Sequence, residues 1–157
     1  VKHPRTALAA LTLSASALVG IAVHEAFRPT AYLPTPNDVP TIGFGTTGGV
    51  QMGDKITVER ALVRLLADAD KFQRDLKACI GDVPLHQYEW DAYVSWAYNV
   101  GTTAACRSTL VRKLKQTPPD YAGACKELDK WIYQAGKPLK GLVKRRAEER
   151  ALCEGRS

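Results

Sequence analysis

The sequence predicts an α+β fold in which a small β region packs beside a larger helical lobe, with a cleft between them. Three observations lead there. Residues 32–50 are punctuated by Pro34, Pro36, Pro40, Gly43, Gly45, Gly48 and Gly49, a density of breakers that no helix tolerates. From Thr57 onward, apolar residues recur at steps of three and four, the helical period. The chain has 157 residues, which suits one domain that buries roughly two thirds of its unfolded surface.

The first element is an apolar run. Residues 6–23 read TALAALTLSASALVGIAV, 18 residues without a charge, preceded by Lys2 and Arg5 and followed by His24 and Glu25. As one helix the run would span about 27 Å, just under a hydrocarbon core of about 30 Å. Six Ala, two Thr, two Ser and one Gly dilute four Leu, two Val and one Ile. Three readings fit. A secretory signal would be cleaved at the small residues near Ala17 or Ala22. A core helix would use its small residues for close packing. A marginal membrane anchor would hold Lys2 and Arg5 on the cytoplasmic side.

Thr41-Ile42-Gly43-Phe44-Gly45 supplies a short strand within the breaker-rich stretch. The helix that follows places Leu62, Leu65, Leu66, Ala69, Phe72 and Leu76 on one face and ends at Gly81 and Pro84. A helix over about 85–99 carries Tyr88, Ala92, Ser95, Trp96 and Asn99; aromatics at that spacing are ordinarily core. Ser108 caps a short helix running to Leu114. Asp120 caps another, with Ala124, Leu128 and Trp131, which stops at Gly136 and Pro138. The last helix, about 141–153, carries Lys144, Arg145, Arg146 and Arg150, for which a solvated face is the ordinary reading. A cleft between the β region and this lobe is the natural place for a substrate.

Composition narrows the class. Hydrophobic residues at 45% and charged residues at 24% exclude a disordered chain or a long coiled coil. The net charge of +6 favours a polyanionic partner such as nucleic acid, anionic lipid or acidic cell wall. No arginine cluster is interleaved with aromatics, and no helix-turn-helix or zinc-finger spacing occurs, so nucleic acid is not expected. Cys79, Cys106, Cys125 and Cys153 form no C-x-x-C pair. With His3, His24 and His86 they offer no usable zinc spacing. Two disulfides in an oxidising compartment fit the even count, with four buried thiols as the alternative. Of the three possible pairings, Cys79–Cys106 and Cys125–Cys153 are favoured as local staples of the helical lobe.

Cutting a sugar–sugar bond needs an acid to protonate the leaving oxygen. Inverting enzymes add a second group that activates water, with the two carboxyls roughly 6.5–9.5 Å apart. Glu25 and Asp38 flank the breaker-rich segment and are the only acidic residues before Asp54. A glutamate beside an apolar helix end suits a general acid, because desolvation raises its pKa. Asp38, in Pro-Asn-Asp-Val-Pro, also reads as an ordinary turn residue.

Glu25, Tyr32-Leu33-Pro34, Asp38 and Thr41-Ile42-Gly43-Phe44-Gly45-Thr46-Thr47 together resemble the Glu-Asp-Thr segment of the phage lysozymes, glycoside hydrolase family 24. Tyr98-Asn99-Val100-Gly101, Ser108 through Lys113, Gly123-Ala124-Cys125, Trp131 and Gly141 through Arg146 continue the resemblance in order along nearly the whole chain. It implies a lysozyme-like fold and a phage endolysin that hydrolyses the β-1,4 bond between N-acetylmuramic acid and N-acetylglucosamine in peptidoglycan. A lytic transglycosylase and a non-enzymatic membrane disruptor are the alternatives. Glu25 matches the general acid, Thr41 the threonine that holds the attacking water, and Asp38 the aspartate. The family spaces Glu to Asp by nine residues and Asp to Thr by six. Here the gaps are thirteen and three, and Pro34 occupies the ninth position after Glu25. An arginine on a late helix pairs with the catalytic glutamate in the family, and Arg145 or Arg146 matches it. Asn99 is a candidate for lining the sugar cleft, with an ordinary polar residue at a helix C-terminus as the alternative, and the resemblance implies no metal or organic cofactor.

The apolar N-terminus resembles the signal-anchor-release (SAR) segment of one subgroup. The resemblance therefore divides the chain into residues 1–24, an anchor that becomes an N-terminal helix of the domain, and residues 25–157, the catalytic part. It implies a monomer tethered on the periplasmic side of the host inner membrane through residues 6–23, then free in the periplasm. Residues 1–24 contain no cysteine, so control of the site by an anchor thiol is not expected.

Overall fold

The computed structural model describes residues 3–156. Lys2, expected to flank the anchor, lies outside the described residues. The apolar run does not form one helix. Thr6 pairs with Leu85 through two backbone hydrogen bonds of 2.8 and 2.9 Å, Leu8–Ala10 make a 3-10 turn, and only Ala15–Glu25 (α1) is α-helical. The break at residues 11–14 has a cause. Ser14 is extended at φ −69°, ψ 155° and caps α1 by accepting the Ala17 N–H. The backbone N–H groups of Leu13 and Ser14 go to Gln73 and Asp91 instead of back along a helix. Leu8, Leu11 and Ile21 are buried in the core, whereas Val19 and Val23 face solvent.

Arg28–Tyr32 (β1) and Thr41–Gly43 (β2) pair antiparallel, with Arg28 opposite Gly43 and Tyr32 opposite Thr41. Four steps on β1 face two on β2, so the extra residues bulge and bend the ribbon. Residues 54–56 hydrogen-bond the other edge of β1 through Ala31 and Pro29. Val58–Ile80 (α2) then crosses to the helical lobe, capped by Thr57.

The buried face of α2 is Ala61, Leu65, Ala69, Gln73, Leu76 and Ile80. Leu62 and Leu66, expected on that face, are 42% and 49% exposed, and Phe72 is half-buried. The stripe is turned by about one residue, because Ala61 packs under Gly43 and Gln73 is drawn inward by polar partners.

Gln87–Val100 (α3) is the central helix. Residues from Glu89 through Ala97 are all buried, including Trp90, Tyr93 and Trp96. Thr102–Cys106 (α4), Thr109–Leu114 (α5) and Tyr121–Glu127 (α6) follow as short helices, with Ser108 and Asp120 capping the last two as expected. Trp131 lies beyond α6, after a 3-10 turn, and packs edge-on against Trp96 at 5.3 Å. Gly136 and Pro138, expected only to end a helix, build a small hairpin of Tyr133–Gln134 (β3) and Lys137–Pro138 (β4). Lys140–Cys153 (α7) closes the lobe against α3.

The two disulfides are Cys79–Cys106, joining α2 to α4, and Cys125–Cys153, joining α6 to α7, each with Cα atoms 5.7 Å apart. The favoured pairing is the one present.

Candidate active site

Glu25 is the last residue of α1, where the chain turns through Ala26 at φ 55° into the β region. Its side chain is 20% exposed, with one oxygen held and the other approached closely by backbone. Arg145 on α7 donates from Nη1 to Oε1 at 2.8 Å. On the other side lies Gly45, where an added Cβ would sit 3.1 Å from Oε2. Gly45 has φ +83°, a conformation that glycine adopts without strain. Both the turn and the approach therefore disfavour a side chain at this position.

That turn is fastened from three directions. Ile42 and Thr46 exchange backbone hydrogen bonds of 2.9 and 3.0 Å. Thr46 donates its hydroxyl to Asp68 on α2 at 2.6 Å. Tyr98 on α3 donates to the Phe44 carbonyl at 2.9 Å. Burial pushes the Tyr98 phenol up, so it remains a donor at any working pH. Phe44 stacks obliquely on Phe27 at 5.5 Å. The β turn is thus a rigid wall facing a carboxyl that projects from a helix end.

Thr41 is buried at the start of β2, and its hydroxyl donates to the Val39 carbonyl at 3.1 Å. Asp38 is exposed in the loop before it and accepts the Val39 N–H at 2.9 Å. Val39 therefore links the two by short local bonds, and the loop carrying Asp38 ends at Thr41, next to Glu25's wall.

The basic run on α7 is not a solvated face. Arg145 and Arg146 are 4% and 1% exposed, while Lys144 points outward and Arg150 is half-buried. Arg145 reaches Glu25. Arg146, one residue on and about 100° around the helix, turns instead to Glu149. The choice between them falls to Arg145.

Asn99 is exposed and lines a groove of about 460 Å³ with Val100, Lys130, Trp131, Tyr133, Gln134 and Leu142. Among the described residues no cluster of His, Cys, Asp and Glu fits a metal ion.

Gly45 and Tyr98 join the site although neither is a candidate from residue type alone. The pattern Gly-Phe-Gly after a strand is itself the signal for a tight turn with close approach.

The sequence matches the phage lysozyme family over residues 22–149. An endolysin of Acyrthosiphon pisum secondary endosymbiont phage 1 is 38% identical over 146 residues, covering 90% of this chain and 97% of that protein. The SAR-endolysin of Pseudomonas phage phiKMV is 36% identical over 143 residues, covering 88% and 86%. Among solved structures, a P22 lysozyme mutant superposes with a TM-score of 0.75 at 32% identity, over 92% of this chain and 99% of that one.

Proposed function

This chain belongs to the phage lysozyme family, and from that membership we propose that it is a phage endolysin. It is a muramidase that hydrolyses the β-1,4 bond between N-acetylmuramic acid and N-acetylglucosamine in peptidoglycan and so causes host lysis. The observation that carries this reading is Glu25, fixed at a helix end between Arg145 and the Gly45 turn.

Glu25 acts as the general acid on the leaving glycosidic oxygen. Arg145 keeps the carboxyl in one rotamer. Thr41 and Asp38 hold the attacking water. Their link through Val39 supports a joint role despite the unusual spacing from Glu25.

Before lysis, residues 6–23 span the inner membrane, and the protein is activated by leaving the bilayer intact. Among the described residues no helix is long and apolar enough to cross a membrane, because the run is broken at residues 11–14. The folded state and the spanning state are therefore alternatives for the same residues. The SAR-endolysin name of relatives supports this part. Residues 25–157 remain outside, and Glu25, two residues past the run, is held at the bilayer surface away from the glycan. Released protein is a monomer in the periplasm.

Mass spectrometry of muropeptides released from purified peptidoglycan tests the reaction. Reducing N-acetylmuramic acid ends are expected. A 1,6-anhydro product would make the protein a lytic transglycosylase, and no release at all, with lysis intact, would make it a membrane disruptor. Asp38→Asn and Thr41→Val belong in the same assay. Loss of activity in both supports their shared hold on water, and loss in Thr41→Val alone removes Asp38 from its role.

A further inference from the structure

Behind Arg145 lies a second carboxylate. Glu149, on the same helix, is 3% exposed. Its Oε1 accepts from Ser95 Oγ at 2.7 Å, Arg146 Nη2 at 3.0 Å and Arg145 Nε at 3.2 Å. Its Oε2 lies 2.6 Å from Arg146 Nε. Oε1 is saturated by donors, whereas Oε2 makes no hydrogen bond and meets Arg146 only as an ion pair. Arg145 is gripped a second time by the Ser95 carbonyl, which accepts from Nη2 at 3.2 Å. One guanidinium is thus shared between the buried carboxylate of Glu149 and the carboxyl of Glu25.

The charges explain why this sharing matters. Arg145 and Arg146 together carry two positive charges, and Arg146 is sealed in the core with its Nη1 lacking a hydrogen-bond partner. Without Glu149, both charges would act on Glu25 uncompensated, through a largely buried site. Opposite charges at close range hold a carboxyl ionised, and a carboxylate cannot donate a proton. With Glu149 present, one positive charge is neutralised before Glu25 is reached.

We propose that Glu149 is a positioning residue for catalysis: it fixes Arg145 and cancels one of the two buried arginine charges, which leaves Glu25 able to take up and deliver a proton. This inference rests on the reading of Glu25 as the acid. Burial raises the Glu149 carboxyl and lowers Arg146, while each opposes the shift of the other. That mutual dependence is the expected signature of a compensated buried pair.

The groups around Glu25 are Arg145, with Arg146 and Glu149 behind it, from α7; Tyr98 from α3; and His24, which precedes it on α1. The turn contributes the uncharged Gly45. Glu149 faces Arg145 and Arg146 on its own helix and Ser95 from α3. It shares a groove with His24, Asp91 and Glu148. Ser95 carries no charge, so the sign of the field at Glu25 turns on the α7 trio.

The test is a pH titration of the Glu25 side-chain carboxyl carbon by ¹³C NMR, assigned by its loss in Glu25→Gln. It is run on wild type, Glu149→Gln, Arg146→Met and the double variant. Glu149→Gln should move the Glu25 midpoint down by about one pH unit, and Arg146→Met should move it up. The double variant should return near wild type, since it removes one charge of each sign. A His24→Gln background removes the titration of that neighbour. An unmoved Glu25 midpoint in Glu149→Gln, or shifts of the same sign in both single variants, would overturn the proposal, because loosened packing has no charge-dependent sign. If Glu149→Gln does not fold, a shifted midpoint in the double variant overturns it equally. The alkaline limb of the pH–rate profile, measured on the same proteins, should follow the NMR midpoints. A limb that stays put while the midpoints move would strike at Glu25 as the acid and leave the charge compensation standing.

Discussion

Ser14 is bound twice by Asp91: its N–H donates to Oδ1 at 2.9 Å and its hydroxyl to Oδ2 at 2.7 Å. The residue that would sit inside a spanning helix is, in the folded protein, the cap of α1. Around it the N-terminal segment is held by further polar contacts. Gln73 Oε1 accepts from Leu13 at 2.6 Å, Gln87 donates to the Thr12 carbonyl at 2.7 Å, and Arg5 pairs with Glu89 at 2.8 Å while lying over the Tyr121 ring. Docking of this segment is therefore specified by hydrogen bonds and not by apolar burial alone.

Asp91→Ala should loosen residues 6–14. Two donors of Ser14 lose their acceptor, at roughly 1–3 kcal/mol where such groups stay buried. Urea denaturation should show the lower midpoint, and hydrogen exchange should show faster opening of residues 6–14 than of α3. Uniform exchange rates in the two regions would contradict a local role.

Strengthening the anchor is best done where folding is untouched. Ser14→Leu would destroy the cap, but Ser16 is exposed and a Cβ at Gly20 meets nothing within 4 Å. Ser16→Leu with Gly20→Leu should hold more protein in the membrane fraction and delay lysis, while the purified folded protein keeps its activity. Fractionation with and without collapse of the membrane potential measures the effect. An N-terminus of the soluble active form that begins after Ala17 or Ala22 would replace anchor release with signal cleavage.

Much of this was legible in the residues. Ser108 and Asp120 are readable as caps from residue type and position, the cysteines pair locally as favoured, and Glu25 meets one of the two arginines that the late basic run offers. What escaped has physical causes. Ser14 in an apolar run reads as helix interior until Asp91, far along the chain, supplies its partner. Leu62 and Leu66 share the period of Leu65, and only the seat of Gly43 on Ala61 fixes which side turns inward. Arg145 and Arg146 look solvated from composition alone, although Glu149 at the third and fourth positions beyond them was a readable sign of pairing.

Gly45→Ala should cost activity more than stability. The positive φ adds about 1 kcal/mol of strain, and the new methyl presses on Glu25 Oε2. Kinetics on soluble glycan strands should show kcat reduced with KM nearly unchanged. An unaltered kcat would mean that the wall does not position the carboxyl.

Removing Cys125–Cys153 by paired alanines should destabilise the protein by about 3–4 kcal/mol in the chain-entropy picture, since the bridge closes a separation of 28 residues. Denaturation of the paired-alanine variant and of the wild type, both without reductant, gives the comparison. A change below about 1 kcal/mol would show that α6 and α7 are held by packing alone.

His24 supplies a pH dependence. Desolvation, aided by Arg145, lowers its pKa from the ordinary 6.5. The unfolded chain then binds the proton more readily than the folded one. Its contribution to stability is complete above pH 6.5 and is lost as pH falls through the lower folded value. Denaturant midpoints measured below pH 6.5 should therefore fall more steeply for wild type than for His24→Gln, and equal slopes would remove His24 from the balance.

The central claim is that Glu25 donates the proton that breaks the glycan. The most direct measurement is the initial rate of reducing-end release from purified peptidoglycan by the folded protein, wild type against Glu25→Gln, with circular dichroism confirming equal folding. The amide keeps the shape and an acceptor for Arg145 but has no proton to give, so the rate should fall by about 10² to 10⁴. A Glu25→Gln rate within threefold of wild type would contradict the account.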